Sequence, residues 1–335
     1  MNEQREAALK KQPIDSWVER LSAGDSVALA RMISWAEDRD ARIGDVLRRL
    51  YPRTGTAYRV GITGPPGGGK STLIARMALG LRRAGERVAV VAVDPTSPYT
   101  GGALLGDRYR MADLSEDPEV FIRSMASRGS LGGMAAATQE ALDLLDAAGF
   151  TYLLAETVGV GQVELDIAQA TDTVVVVLVP ESGDGIQAMK AGLMEIGDLF
   201  VVNKADREGA ERLMGELESM LDYRPLREDW RPEVLATTAH KDVGITELME
   251  AVGRHRRHME TTGALAARRR ETLKARLLGE AKQALLDRLE AREGDVLEAV
   301  LDRLARRELT PHDAARDIVD RLSRSGETTP SKPRT

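Results

Sequence analysis

The 335-residue chain carries 47 basic and 53 acidic residues, a formal net charge of −6, and no cysteine. The missing thiols exclude disulfides, thiolate metal sites, iron–sulfur clusters and cysteine nucleophiles. An acidic balance with only 4% aromatic residues argues against nucleic acid as a partner. Residues 1–12 are charged rather than apolar, unlike a signal peptide, and the longest apolar run, Val174–Pro180, is too short to cross a membrane. The expectation is a cytoplasmic protein with no membrane partner.

Residues 1–57 read as an N-terminal helical region. Trp17, Leu21, Val27, Leu29, Met32, Ile33, Trp35, Ile43, Val46 and Leu50 recur at helical spacing, and Asp15 or Ser16, and Asp25, are placed to cap helices. Residues 52–56 (Pro-Arg-Thr-Gly-Thr) then read as a linker. From 58 to 258, short β-rich runs alternate with helical ones. Strands are expected at 58–63, 88–93, 152–155, 173–179, 199–202 and 234–236, and helices at 71–84, 131–148, 187–196, 207–222 and 245–258. This alternation predicts an α/β fold with a doubly wound, mostly parallel sheet, its ligands at the carboxyl ends of the strands. Residues 259–325 read as a helical arm. One apolar stripe runs through Leu273, Leu277, Leu278, Ala281, Leu285, Leu286 and Leu289, and Thr310–Asp313 looks like the capped start of a last helix. The tail 326–335 is polar and expected to be disordered.

Gly64-Pro65-Pro66-Gly67-Gly68-Gly69-Lys70-Ser71 matches the Walker A pattern and stands between a predicted strand and a predicted helix. The glycines let backbone N–H groups turn inward around a phosphate, and Lys70 can reach the β- and γ-oxygens. The Ser71 hydroxyl can ligate Mg²⁺, and Thr72 lies next on the same helix N-terminus. Asn203-Lys204-Ala205-Asp206, directly after a predicted strand, matches the guanine signature of GTPases. The Asp206 carboxylate can accept from guanine N1–H and the 2-amino group, donors that adenine lacks; Asn203 and Lys204 would brace the loop and pack on the base. Thr238-Ala239-His240 follows the last strand and reads either as the loop that touches the guanine oxygen or as a plain surface loop.

Two acidic residues, Asp94 and Glu156, end strands beside the phosphate loop and would face Mg²⁺ or its waters. The extra methylene of Glu156 favours contact through water. Asp107 is a further candidate, for Mg²⁺ or for orienting the attacking water. Gly159 in Glu156-Thr-Val-Gly159 is a candidate γ-phosphate sensor and hinge. Val160, not a glutamine, follows it, so hydrolysis is expected to be slow until a partner accelerates it.

The segments 64–71, 94–108 (Asp-Pro-Thr-Ser-Pro-Tyr-Thr-Gly-Gly-Ala-Leu-Leu-Gly-Asp-Arg), 156–162 (Glu-Thr-Val-Gly-Val-Gly-Gln) and 203–206 together resemble the ArgK/MeaB-type P-loop GTPases. These are G-protein chaperones of adenosylcobalamin-dependent methylmalonyl-CoA mutase. The resemblance covers nearly the whole chain, with a departure at Val163. It implies a homodimer held by the C-terminal arm, and GTP turnover that gates cofactor loading and protects or reactivates the mutase or a related acyl-CoA mutase. It places Lys70, Asp94, Asp107 and Glu156 around Mg²⁺ and the γ-phosphate, and makes the loop 183–190 a switch facing the partner. Some relatives were once labelled transport-system kinases, but the guanine signature speaks against an ATP-using kinase.

The alternative is a nickel-insertion or other metallocofactor-delivery GTPase. Such a protein needs Cys or His clusters, and here there are four scattered histidines: His240, His255, His258 and His312. His255 and His258 could share a helical face, which reads as a solvated basic helix end.

Overall fold

The computed structural model describes residues 13–94, 114, 116–126, 131–157, 163–180 and 192–324. Seven strands, β1 (Tyr58–Thr63), β2 (Val88–Asp94), β3 (Val120–Ala126), β4 (Tyr152–Thr157), β5 (Thr173–Leu178), β6 (Leu199–Asn203) and β7 (Glu233–Thr237), form one sheet. Its order is β3-β2-β4-β1-β5-β6-β7 and all pairings are parallel. Valine-rich runs such as β5, buried throughout, are what a strand covered on both faces requires.

Alternate residues select the faces. On one face Val60, Ile62, Val88, Val90, Leu154, Val175 and Val201 pack under the helices Lys70–Arg83 and Ile245–Thr261. On the other, Ala89, Val91, Leu153 and Ala155 meet the helix Leu131–Ala147 and three N-terminal helices, while Val176, Phe200 and Val202 meet the helix Ala210–Leu221. In chain order the helices are α1 (Ile14–Ser22), α2 (Ser26–Glu37), α3 (Arg42–Leu50), α4 (Lys70–Arg83), α5 (Leu131–Ala147), α6 (Val163–Ala170), the single turn α7 (Leu193–Ile196), α8 (Ala210–Leu221), α9 (Ile245–Thr261), α10 (Ala264–Ala305) and α11 (Pro311–Arg324). Of the residues expected to cap helices, Asp25 does so for α2, whereas Asp15 and Ser16 lie inside α1. The fold is α/β, a doubly wound parallel sheet with helical segments before and after it. Among the described residues no helix is long and apolar enough to cross a membrane.

Strand β3 was not legible as a strand. It is the sheet edge, and its residues 120–124 are only partly covered, so Val120-Phe121-Ile122 gives way at once to Arg123 and Ser124. The N-terminal helices close that edge: Arg123 donates from Nη2 to Ser34 Oγ at 3.0 Å and pairs with Glu37 on α2. Trp17 and Trp35 meet edge to face, centroids 5.0 Å apart, within the core shared with α5 and the sheet. The stretch expected to be a linker is pinned. One buried carboxylate, Asp146 on α5, accepts from the backbone N–H groups of Gly55 (2.7 Å), Thr56 (3.2 Å) and Ala57 (3.0 Å).

One compact unit ends at Arg270 and a second begins at Glu271. Within the first, the opening turns of α10 are tied to the amino ends of β5 and β6. Arg268 forks onto Asp198 (Nη1–Oδ2 2.8 Å, Nη2–Oδ1 3.0 Å) and also pairs with Glu228. Arg269 grips Asp172 (2.8 and 2.7 Å) and the carbonyls of Gly55 and Ala57 (2.7 and 2.8 Å). In the second unit α11 starts as its sequence suggested, with the Thr310 hydroxyl accepting from Asp313 N at 3.2 Å. Leu273, Leu277, Leu278, Leu285, Leu286, Leu301 and Val319 are exposed there. The tail 326–335 lies outside the described residues.

The reading of His255 as part of a solvated helix end is corrected: it is fully buried. Its Nδ1 lies 2.8 Å from Thr173 Oγ1, which is 2.6 Å from the Tyr58 hydroxyl, and its Nε2 is 3.7 Å from Asp198 Oδ1. Trp230 stacks edge-on at 4.9 Å, and Arg268, Glu228 and His258 complete the charged surroundings. Burial pushes its pKa below the ordinary 6.5, outweighing the Asp198 carboxylate. The unfolded chain therefore takes up the proton first, and stability falls as the pH drops below 6.5. Thermal midpoints measured between about pH 7.5 and about pH 5.5 should decline less steeply in His255→Gln than in the parent. An identical slope would assign the acid sensitivity to other groups.

Candidate nucleotide site

The sheet order reverses at β1, which lies between β4 and β5, and the loop leaving β1 occupies that switch point. Gly64 has φ +133°, and a Cβ there would lie 2.0 Å from the Val177 carbonyl oxygen on β5. Gly69, the N-cap of α4, has φ +83°, and its Cβ would lie 2.5 Å from Asn203 Nδ2. Only glycine lets the chain turn here while touching two neighbouring strands, β5 and β6. The loop wraps the Lys70 ammonium, which is 5% exposed and donates to Gly64 O (2.8 Å) and Pro65 O (3.0 Å). Pro66 and Gly67 are exposed at the loop's crest, Gly68 is buried, and Thr72 is half-buried one residue beyond Ser71.

Ser71 and Glu156 are both buried, and the Ser71 hydroxyl donates to Glu156 Oε1 at 2.8 Å. This bond places the Glu156 carboxylate beside the serine expected to ligate Mg²⁺ and leaves the expected water-mediated contact of Glu156 with the ion as it stands. Beneath them Thr157 Oγ1 donates to Thr63 Oγ1 at 2.9 Å, joining the ends of β4 and β1. That pair was not foreseen, because two threonines 94 residues apart carry no local signature. Among the described residues no group of three or more His, Asp or Glu could hold a metal ion. A hydroxyl and a carboxylate in contact are nevertheless the hard oxygen donors that Mg²⁺ prefers, so this pair fits that ion. Asp94 closes β2, its backbone opposite Ala126, but its side chain is outside the described residues. Asp107, Gly159 and the loop 183–190 also lie outside them.

The guanine-signature residues leave β6 one strand beyond β5. Asn203 is buried and bonds three ways: Nδ2 donates to Gly68 O at 2.8 Å, and Oδ1 accepts from Thr237 Oγ1 (3.0 Å) and Ala239 N (3.2 Å). It thereby ties the phosphate loop to the loop after β7. Lys204 takes φ +58°, and Ala205 N donates to Thr237 O at 2.9 Å. Asp206 is exposed and faces the loop 238–241, with Lys241 Nζ at 2.7 Å and His240 Nε2 at 3.9 Å. The Lys241 ammonium holds the Asp206 carboxyl below the usual carboxylate range. Thr238 and Ala239 are buried beside Asn203, while His240 is exposed. The structure thus gathers residues 64–71, Glu156, 203–206 and 238–240 at one edge of the sheet. Lys241 was passed over, although it follows directly on the loop that drew attention.

The profile of the family described as methylmalonyl Co-A mutase-associated GTPase MeaB matches residues 29–294. A Pyrococcus abyssi protein with a provisional GTPase designation is 46% identical over 320 residues, covering 93% of this chain and 98% of its own. GTPase ArgK of Escherichia coli is 36% identical over 284 residues, covering 82% and 86%. A crystal structure described as an LAO/AO transport system kinase superposes with a TM-score of 0.71 at 28% identity, covering 92% of this chain and 97% of that one.

Proposed function

The chain belongs to the methylmalonyl-CoA mutase-associated GTPase family MeaB and is a GTPase, and from this we propose that it is the G-protein chaperone of an adenosylcobalamin-dependent acyl-CoA mutase. The favoured client is methylmalonyl-CoA mutase, and GTP turnover would gate cofactor loading and protect or reactivate that enzyme. The family's description supports the client, and the proposed setting is the cytoplasm. One observation carries the nucleotide site: Asn203 cross-links the phosphate loop to both base loops, so phosphate and guanine recognition act as one rigid unit.

In this reading Lys70 exchanges its two carbonyl partners for β- and γ-phosphate oxygens, and its charge offsets the negative charge gathering on the transferred group. The N–H groups of 67–71 surround the phosphates at the amino end of α4. Ser71 and Glu156 would hold Mg²⁺, joined by Asp94 and Asp107; bound there, the ion would screen the phosphate charge. Gly159 would report on the γ-phosphate. Asp206 accepts from guanine N1–H and the 2-amino group, and Thr238–His240 closes over the base edge. The exposed leucines of α10 supply a surface for a homodimer of the arm.

Glu156→Gln should keep the bond from Ser71 yet lower GTP hydrolysis by about 10², with the Mg²⁺ requirement raised. Unchanged turnover at limiting Mg²⁺ would remove Glu156 from the metal set. The chaperone reading is tested by co-purification with a cobalamin-dependent mutase in GTP and in GDP, with turnover followed in parallel. Nucleotide-dependent capture and faster hydrolysis in the complex are expected; no capture in either nucleotide refutes it.

A further inference from the structure

Lys241 belongs to none of the motifs that draw the nucleotide site, yet its ammonium is bonded to the carboxylate that should read the base. Nζ donates to Asp206 Oδ2 at 2.7 Å, closer than His240 at 3.9 Å. The turn that carries it is tightly held. Lys241 N donates to Thr238 O at 2.8 Å, Thr238 N to Val243 O at 3.0 Å, and Ala239 N to Asn203 Oδ1 at 3.2 Å. Asp242 closes the turn in the left-handed region at φ +60°.

Asp206 itself stands on an exposed stretch, and the terminal torsion of an aspartate is broad. Paired acceptance from N1–H and the 2-amino group demands that both oxygens face the base in one plane. A carboxylate offers about four lone-pair sites, so an ammonium can hold one oxygen from the protein side while two remain for the base. We propose that Lys241 is a positioning residue that sets guanine specificity by fixing the orientation of the Asp206 carboxylate. The inference rests on the reading of 203–206 as the guanine loop. The depressed pKa of Asp206 agrees with it, since the same contact keeps the acceptor ionised.

Hypoxanthine lacks the 2-amino group, so the ratio of IDP to GDP dissociation constants reports on the second of the two bonds. That ratio is measured on the full chain for the parent, Lys241→Gln and Lys241→Arg. Lys241 is 55% exposed, so these variants should keep the parent's melting midpoint. The parent should prefer GDP; Lys241→Gln should lose about threefold of that preference, the scale of one exposed ion pair, and Lys241→Arg should restore it. An unchanged ratio overturns the proposal, whether Lys241→Gln weakens both nucleotides equally, as a general attraction for phosphate would, or tightens both, as a competitor for Asp206 would. A parent that does not distinguish GDP from IDP or ADP fails at the earlier step and overturns the guanine-loop reading, and the positioning role with it.

Discussion

Asp206→Asn should lower the affinity for GDP and GTP by roughly 10⁴ while creating affinity for xanthosine nucleotides. The carboxylate is acceptor-only, matching two donors on guanine, N1–H and the 2-amino group. An asparagine amide sets its own NH₂ against one of them and leaves a donor facing a donor. Xanthine carries a carbonyl at the same carbon, so the amide NH₂ finds an acceptor again. Because Asp206 is exposed and its fold contacts are Lys241 and His240, the thermal midpoint should stay near the parent's. Titrations with GDP and XDP measure both effects. A GDP affinity within tenfold of the parent's would show that Asp206 does not read the base. The effect of Lys241 is far smaller because it acts through Asp206 and keeps no donor of the base waiting.

Arg268→Met should cost about 3–5 kcal/mol of stability, the usual penalty for orphaning a buried carboxylate. Asp198 has a side chain only 3% exposed, and Arg268, itself 9% exposed, supplies both of its guanidinium bonds. Its other hydrogen-bond donor, the backbone N–H of Val174 at 2.8 Å, cannot neutralise the charge, and His255 lies farther off at 3.7 Å. The expected fall in melting midpoint is roughly 10 °C for a domain of this size. Adding Asp198→Asn should recover part of it by removing the unpaired charge, since the two effects are coupled. A double variant no more stable than the single one would show that the loss comes from packing. The affected residues lie at the amino ends of β5 and β6, opposite the nucleotide loops, so nucleotide affinity in the folded variant should stay near that of the parent.

Both expectations concern carboxylates, but they were not equally visible beforehand. Asp206 sits in a tetrapeptide whose chemistry is local: the residues proposed to meet the base are consecutive and follow a strand. The phosphate loop is readable for the same reason, since its glycines, lysine and serine work within eight residues. Asp198 shows nothing locally, because its partner Arg268 is 70 residues away. His255 drew the opposite of its true setting, since its neighbours in sequence are arginines while its neighbours in space are Thr173, Asp198 and Trp230.

From the sequence alone came six of the seven strands, the alternation that makes the sheet parallel, the phosphate loop and the guanine tetrapeptide. These rest on short-range periodicity, on strands apolar throughout because helices cover both faces, and on backbone turns that only glycine completes. Only the tertiary structure decided that β3 is the edge strand under α2, that Asn203 bonds to Gly68 across 135 residues, and that Ser71 meets Glu156 across 85. It alone paired Lys241 with Asp206. Each of these is a side-chain meeting created when strands distant in the chain are gathered into one sheet, so its partner is chosen by topology and not by spacing.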